Sequence, residues 1–433
     1  MNYIKLLFKR LIGIDILQVF SLNAIATGVR MLAGMIGVKV VALLIGPSGI
    51  ALLGQLSNFS TMLLGLANGG ITSGIIKYIS EFKKDEKKVS SYISNAFRIT
   101  VICSLLIGVC LILLCTCLSR LILLTDEYYY VFIVFGFTVF FYALNGLIVS
   151  IINGYKEFKL YVRVNIIGTI AGTLYSIILV FLWGVPGALI NTVTFQSVMI
   201  FVTLYLCRKQ PWMNMSYFKQ KLDKFVLKDY MGYALMSLLT FALQPVSQMF
   251  LRGYVISEIS ATDAGIWEGM NRISAMYLSV LTSAFTVYYI PRLSEITDPK
   301  ELHDEVFRCY KMFIPILLLI SVAIYLLKEF IIWLLFTPEF YTMESLFSWQ
   351  LIGDFFKICS WLLAVLMIAK ARTWMFISTE IIFSATYVIL SFIFMRYNGV
   401  IGLTQGYLCN YMFYGLVMAL LFRNVIRPQR NYE

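Results

Sequence analysis

The sequence predicts an all-α polytopic membrane protein, with twelve transmembrane helices in two pseudo-symmetric six-helix lobes around a central cavity. Three observations lead there. Of 433 residues, 60% are apolar and only 13% charged, whereas a soluble domain carries about 25% charged residues to cover its surface. The apolar residues gather in runs of roughly twenty, long enough to cross a bilayer as helices. The ~10-residue alternating segments of a membrane barrel are absent. Finally, Lys and Arg are dense in alternate connections and sparse in the others, as membrane topology requires.

The chain begins MNYIKLLFKRLIGIDILQVF, with basic residues ahead of apolar ones, like a signal peptide. Asp15 interrupts the apolar stretch and no small-residue cleavage site follows, so we read an interfacial start running into an uncleaved first span. Expected spans are 17–45, 50–79, 97–124, 129–153, 160–183 and 186–207 in the first half. In the second half they are 230–256, 263–290, 306–327, 345–369, 373–395 and 399–422. The apolar piece 331–336 is too short to cross. These limits give an N-terminal lobe at 1–208, a basic cytoplasmic linker at 209–229 and a C-terminal lobe with a short basic tail at 230–433.

Of 35 Lys and Arg, 27 fall at the two termini and in the even-numbered connections, starting with Lys5, Lys9 and Arg10 and ending with Arg423, Arg427 and Arg430. Three (Arg120, Lys328 and Arg396) fall in the odd-numbered ones. The positive-inside rule then sets both termini in the cytoplasm. Topology also accounts for the net charge of +12, and no nucleic-acid-binding module accompanies it, so nucleic acid is not an expected partner.

The halves look duplicated. Gly184-Val-Pro-Gly187 recurs as Gly399-Val-Ile-Gly402, Gly49-Ile50 as Gly265-Ile266, and Ser80-Glu81 as Ser294-Glu295. The offsets stay between 214 and 216 residues. Six spans per repeat give both copies one orientation, as in parallel-repeat transporters.

No P-loop, dinucleotide fingerprint or HExxH motif is present. The eight cysteines lie mostly in apolar runs and His303 is the only histidine, so no zinc set exists, and neither a metal nor a cofactor is expected. Chemistry must come from polar residues inside spans, which hydrocarbon tolerates only toward a cavity or a partner. The stretch 238–278 stands out, because Gln244, Gln248 and Arg252 share one helical face by their spacing of four. Glu268 and Arg272 repeat that spacing, with Asn271 beside them.

Arg30 and Lys39 lie in span one; Gln350, Asp354 and Lys357 in span ten; Glu380 in span eleven. Five cations against three carboxylates leave a positive surplus suited to an anionic substrate. Glu268–Arg272 and Asp354–Lys357 have spacings that allow mutual neutralisation; the competing reading is that such groups pair across helices and only hold the bundle together. Arg252 and Arg272 are the foremost candidates for phosphate, because a guanidinium stays charged when buried and offers a fixed fork of donors. Glu268, Asp354 and Glu380 are candidate ion-coupling carboxylates. Trp267 and Trp349 adjoin the polar set and are candidates to stack on sugar rings.

Several second-half motifs carry a family resemblance: Gly265-Ile-Trp-Glu-Gly269, Arg272-Ile-Ser274, Tyr289-Ile-Pro-Arg-Leu-Ser294, Trp349-Gln-Leu-Ile-Gly-Asp354 and Ile368-Ala-Lys-Ala371. With Gly46-Pro-Ser-Gly49, they resemble the Wzx-type flippases of the multidrug/oligosaccharidyl-lipid/polysaccharide exporter superfamily. The likeness is greatest to the branch that moves the enterobacterial common antigen intermediate, lipid III. Residues matching the family pattern are Arg252, Trp267, Arg292, Trp349, Asp354, Lys357 and Lys370. Ala275 departs from it, standing where related sequences tend to place an acid.

The resemblance implies a non-enzymatic, monomeric flippase of the bacterial inner membrane. It would carry an undecaprenyl-pyrophosphate-linked oligosaccharide, such as an O-antigen unit or lipid III, from the cytoplasmic to the periplasmic leaflet by alternating access. The polymerase and chain-length machinery of the same pathway are implied partners. A cation-coupled drug antiporter, a lipid II flippase and a membrane-embedded glycan polymerase are the competing readings.

Overall fold

The computed structural model describes residues 14–296, 298–370 and 372–426. The interfacial start at 1–13, and with it Lys5, Lys9 and Arg10, lies outside the described residues, as do Arg427, Arg430 and Ala371. The described chain is helical, with no strand among the described residues. Its principal helices are α1 (Ile14–Ala67), α2 (Thr72–Glu81), α3 (Glu86–Leu113), α4 (Tyr129–Gly154), α5 (Phe158–Cys207) and α6 (Lys224–Glu258). There follow α7 (Ala261–Glu295), α8 (Pro299–Leu326), α9 (Lys328–Leu335), α10 (Glu344–Ala369), α11 (Thr373–Asn398) and α12 (Ile401–Leu421).

Local chemistry starts these helices. Asp85 caps α3 by accepting from the Lys88 amide at 3.1 Å, and Ser260 caps α7 through the Thr262 amide. Asp298 caps α8 through the Glu301 amide, with Pro299 in the first turn, where a missing N–H costs nothing.

Among the described residues seven helices are long and apolar enough to cross a membrane, or eight when the bent pair Lys224–Gly232 and Ser237–Glu258 is counted. The expected number was twelve. Part of the difference is physical. α1 and α5 are each broken at one glycine, Gly46 and Gly184, and each holds two of the expected spans. Helix α12 is diluted by Gln405, Asn410 and its tyrosines. In α7 the side chains of 283–288 are not described. Large apolar side chains such as Leu113, Phe181, Leu319 and Leu326 are mostly exposed, as a lipid-facing surface requires. The chain is a multi-pass membrane protein.

The chain divides into two compact units. One holds the residues up to Leu44 together with Phe59–Ala242; the other holds Ile45–Asn58 and Leu243 onward. In the first, α4 packs on α3 and α5, and the stretch after α5 is strapped down. Ser94 donates to the Phe218 and Gln220 carbonyls at 3.0 Å. Asn95 accepts from the Asp223 amide, and Tyr92 donates to Asp229 at 2.6 Å. Trp212 is buried and stacks on Tyr155. In the second unit, α12 packs between α10 and α11, and α7 lies on α10. Tyr289, Val306, Phe313, Leu362 and Tyr414 share its core. Lys370 donates to the Ile296 carbonyl.

The repeated glycine motifs fold alike. Gly184 has φ 58°, ψ −130° and Gly399 has φ 56°, ψ −138°, a left-handed region that L side chains rarely adopt. At Gly187 and Gly402 a Cβ would overlap the preceding helix, at 1.9 Å from the Leu179 carbonyl oxygen and 2.3 Å from the Phe394 carbonyl carbon. Each motif therefore breaks a helix and tucks its continuation against the end of the previous one. No atom lies within 4 Å of a Cβ added at Gly184 or Gly399, so substitution there is opposed by backbone strain alone. Gly399→Ala and Gly184→Ala are each expected to lose about 1–3 kcal/mol. Gly232→Ala, in open space on a helix, should be neutral or stabilising; melting temperatures in detergent check the contrast.

Candidate functional site

The second unit gathers its interior charges into two clusters. The first joins α6 and α7 to the segment 45–58. Glu268 accepts from Arg252 Nη2 at 2.5 Å and from Arg272 Nε at 3.0 Å, one guanidinium on each carboxylate oxygen. Arg252 is 1% exposed. Its other amino group donates to Gln55 Oε1 at 3.3 Å, while Nη2 also reaches Gln248 Oε1 at 3.4 Å. Gln55 in turn donates to the Met249 carbonyl, and Asn271 donates to Gln248. The Arg252 guanidinium sits 5.5 Å from the Trp267 ring, a cation–π contact that stands in for lost water.

Gly54 makes this approach possible. A Cβ there would lie 2.7 Å from the Glu268 carboxyl carbon and 2.9 Å from the Arg252 guanidinium carbon. Arg252 Nε has no partner, and the Arg272 side chain keeps 24% exposure. Arg272 is thus the cation this cluster can present to a ligand, while Arg252 is its buried anchor.

The second cluster centres on Asp354 of α10, which is fully buried. Its Oδ2 accepts from Ser274 and Tyr277 of α7, both at 2.5 Å. Its Oδ1 accepts from Tyr407 of α12 at 2.7 Å and from Gln350 at 3.3 Å. Four donors converge on one carboxylate, so the site stabilises a negative charge without an ion pair. The Asp354–Lys357 pair expected from i,i+3 spacing is not among the ion pairs of the described residues, because Asp354 turns to its hydroxyls. Lys357 instead lies 5.6 and 5.4 Å from the Tyr407 and Tyr411 rings. It interacts electrostatically with both Asp354 and Glu380, so Glu380 does have a cation nearby, supplied by a different helix. Tyr387 lies 6.0 Å from Tyr407, ring to ring, and also interacts with Arg252, linking the clusters.

Of the residues the sequence singled out, Gln248, Arg252, Trp267, Glu268, Asn271 and Arg272 meet in the first cluster; Asp354, Lys357 and Glu380 meet around the second. Three placements differ from expectation. Trp267 is 1% exposed and packed beneath Arg252, so it has no open face for a sugar. Gln244 is exposed and takes no part in the clusters, although it shares a face with Gln248. Trp349 is 39% exposed, turned away from the face of Gln350 and Asp354. Arg30, exposed, and Lys39, half-buried, belong to the first unit. Among the described residues the two clusters together hold three cations and three carboxylates, so the positive surplus comes from α1.

Sequence reasoning left Ser274, Tyr277 and Tyr407 out of the site, and placed Gln55, with Asn58, only among the polar residues of span two. Ser274 and Tyr277 are i,i+3 neighbours, and Tyr407 and Tyr411 are i,i+4, the one local signal that was available. No local signal tied Gln55 to Arg252, almost two hundred residues away.

Long helices broken at glycines make up a membrane bundle whose fold is shared by solved structures. A multidrug resistance transporter of the MATE family and MOP superfamily, solved in an inward-facing conformation, matches with a TM-score of 0.76 at 16% identity, covering 92% of this chain and 94% of that one. A MOP superfamily transporter from Pyrococcus furiosus matches at 0.65 and 15%, covering 92% and 96%. These likenesses define the fold. The chain itself belongs to the polysaccharide biosynthesis protein family, which matches residues 16–297. It is also 26% identical to the lipid III flippases of Escherichia coli K12 and Shigella flexneri over 392 residues, 90% of this chain and 94% of theirs.

Removing one partner of a buried ion pair strands the other. Glu268→Gln, which leaves two adjacent guanidiniums uncompensated, is expected to destabilise by about 3–5 kcal/mol. The pair Arg252→Met with Glu268→Leu should be less damaging than the sum of the single changes, as thermal melts of the four proteins in detergent would reveal. Tyr407→Phe removes one charge-assisted hydrogen bond from Asp354 and should cost about 1.5–3 kcal/mol in the same melts.

Proposed function

We propose that the chain is a flippase that moves an undecaprenyl-pyrophosphate-linked oligosaccharide from the cytoplasmic to the periplasmic leaflet of the bacterial inner membrane. An O-antigen unit or enterobacterial common antigen lipid III is the cargo class. The reading is carried by the match to lipid III flippases along nearly the whole of both chains. Membership of the polysaccharide biosynthesis family points the same way.

The site chemistry supports it. A diphosphate needs a fixed cation to leave water, and a guanidinium offers parallel donors to two oxygens. Arg272 keeps part of its guanidinium accessible while Glu268 and Arg252 hold it in place. Arg30 and Lys39 add the positive surplus of α1, and Trp349 is the tryptophan with an open face for a sugar ring. Glu268, Asp354 and Glu380 are the ion-coupling carboxylates in this reading, and Lys357 is a further cation for the substrate. The halves 1–208 and 230–433 are the lobes that alternate, joined by 209–229, with both termini cytoplasmic. The protein works as a monomer and transports without chemical change. Pathway enzymes that make and polymerise the cargo are its functional partners.

Purified protein in vesicles should move a labelled polyprenyl-diphosphate oligosaccharide between leaflets, read by access of an externally added glycosidase. Cargo that stays in its leaflet while the protein exports a cationic dye would identify a drug antiporter. An elongated glycan would identify a polymerase. Arg272→Ala is expected to slow transfer about tenfold, the scale of one charge-assisted contact, with the melting temperature nearly unchanged. Normal transfer by this variant would remove Arg272 from the substrate site.

A further inference from the structure

A groove of about 870 Å³ opens between α8, α10 and α12, and no charged side chain of either cluster lines it. Ile314, Pro315, Phe356, Leu363, Leu416 and Ala419 line it, and its surface is almost wholly apolar. At one end it meets a smaller polar hollow of about 340 Å³, formed by His303, Asp304, Arg308 and Lys311, with Phe307 and Lys311 common to both. The two are ordered along one helix. Asp304, Phe307, Arg308, Lys311, Ile314 and Pro315 follow at intervals that keep them on one face of α8. The face is polar in the first turns and apolar beyond Lys311.

The polar end has a definite charge pattern. Arg308 is paired with Glu305 at 3.2 Å, and the His303 ring nitrogen is bonded to the Val425 carbonyl at 2.7 Å. Lys311 and Asp304 are both exposed, and neither takes part in a hydrogen bond or ion pair given for the described residues. Arg308 keeps 72% of its side chain exposed despite its pair with Glu305, so the hollow presents two cations, Arg308 and Lys311, and one open carboxylate two helical turns from Lys311, above an apolar trough. A diphosphate would gain the cations but bring further negative charge against Asp304. A phosphate whose headgroup ends in an alcohol would offer Asp304 a neutral donor and no positive charge. A phosphate bearing a primary amine satisfies both signs of charge.

We propose that this groove is a binding site for a phospholipid with an ethanolamine headgroup, its phosphate on Lys311, its ammonium on Asp304 and an acyl chain along α8, α10 and α12. This goes beyond transport: it assigns a bilayer lipid, distinct from the cargo, to the outer face of the second unit. The bound lipid would wedge between α8 and α12 and brace the helix that begins at Pro299.

The test uses full-length protein stripped of lipid in detergent and titrated separately with phosphatidylethanolamine, phosphatidylglycerol and undecaprenyl diphosphate, with adducts counted by native mass spectrometry. Phosphatidylethanolamine is expected to bind about tenfold more tightly than the other two, the scale of one added charge-assisted contact. Asp304→Lys should reverse the preference toward phosphatidylglycerol, and Ala419→Trp, which fills the trough, should abolish the adduct. Asp304 is exposed, so its variant keeps the fold, and an unchanged melting temperature verifies that. Equal binding of the two phospholipids, or a preference that survives Asp304→Lys, would overturn the proposal. So would preferential binding of undecaprenyl diphosphate, which would make the groove part of the cargo path.

Discussion

Burying a charge away from water costs several kcal/mol per ion unless opposite charges and hydrogen bonds take the place of solvent. The two clusters of the second unit hold six such groups. Glu268 answers two guanidiniums at once, and Gln55, Gln248 and the Trp267 face complete the shell of Arg252. Asp354 is held by hydroxyls and an amide. Because Arg252, Glu268 and Asp354 depend on partners from other helices, satisfying the charges fixes how α6, α7, α10 and α12 lie together. The residue types at the contacts follow. A side chain at Gly54 would collide with the Glu268–Arg252 pair, and one at Gly353 would meet the Tyr407 ring at 2.5 Å.

The same constraint separates anchoring from recognition. A buried arginine whose two amino groups are both engaged cannot meet a substrate without abandoning partners that nothing else replaces. A partly exposed arginine sharing the same carboxylate can exchange that contact for a phosphate at lower cost. The unit's balanced charge means that attraction for an anion comes from how the cations are exposed, rather than from how many there are. The glycine-broken helices serve the same economy of space. Gly184 and Gly399 let a span reverse sharply while Gly187 and Gly402 keep its two arms in contact, once in each half of the chain.

Much of this was legible in the sequence. Composition and run length identified a membrane bundle, because hydrocarbon accepts little else than helices with satisfied backbones. The i,i+4 spacing of Glu268 and Arg272 foretold their ion pair, and the near-constant offset of the glycine motifs foretold the matching breaks. The number of spans was harder to read, since broken helices and a polar span such as α12 weaken the apolar signal on which counting relies.

The sequence by itself determined the class of fold, the places where the helices break and the inventory of buried charge, because these follow from local composition and short spacing. Tertiary structure alone decided which charges meet. Arg252 stood without a carboxylate on its own helix until α7 supplied Glu268. Lys357 left its i,i+3 neighbour for the Tyr407 and Tyr411 rings. Gln55 crossed almost two hundred residues of sequence to cap a guanidinium. Periodicity gives the face of a helix on which a group lies, but the partner on the opposing helix is chosen by packing, and packing is a property of the whole unit.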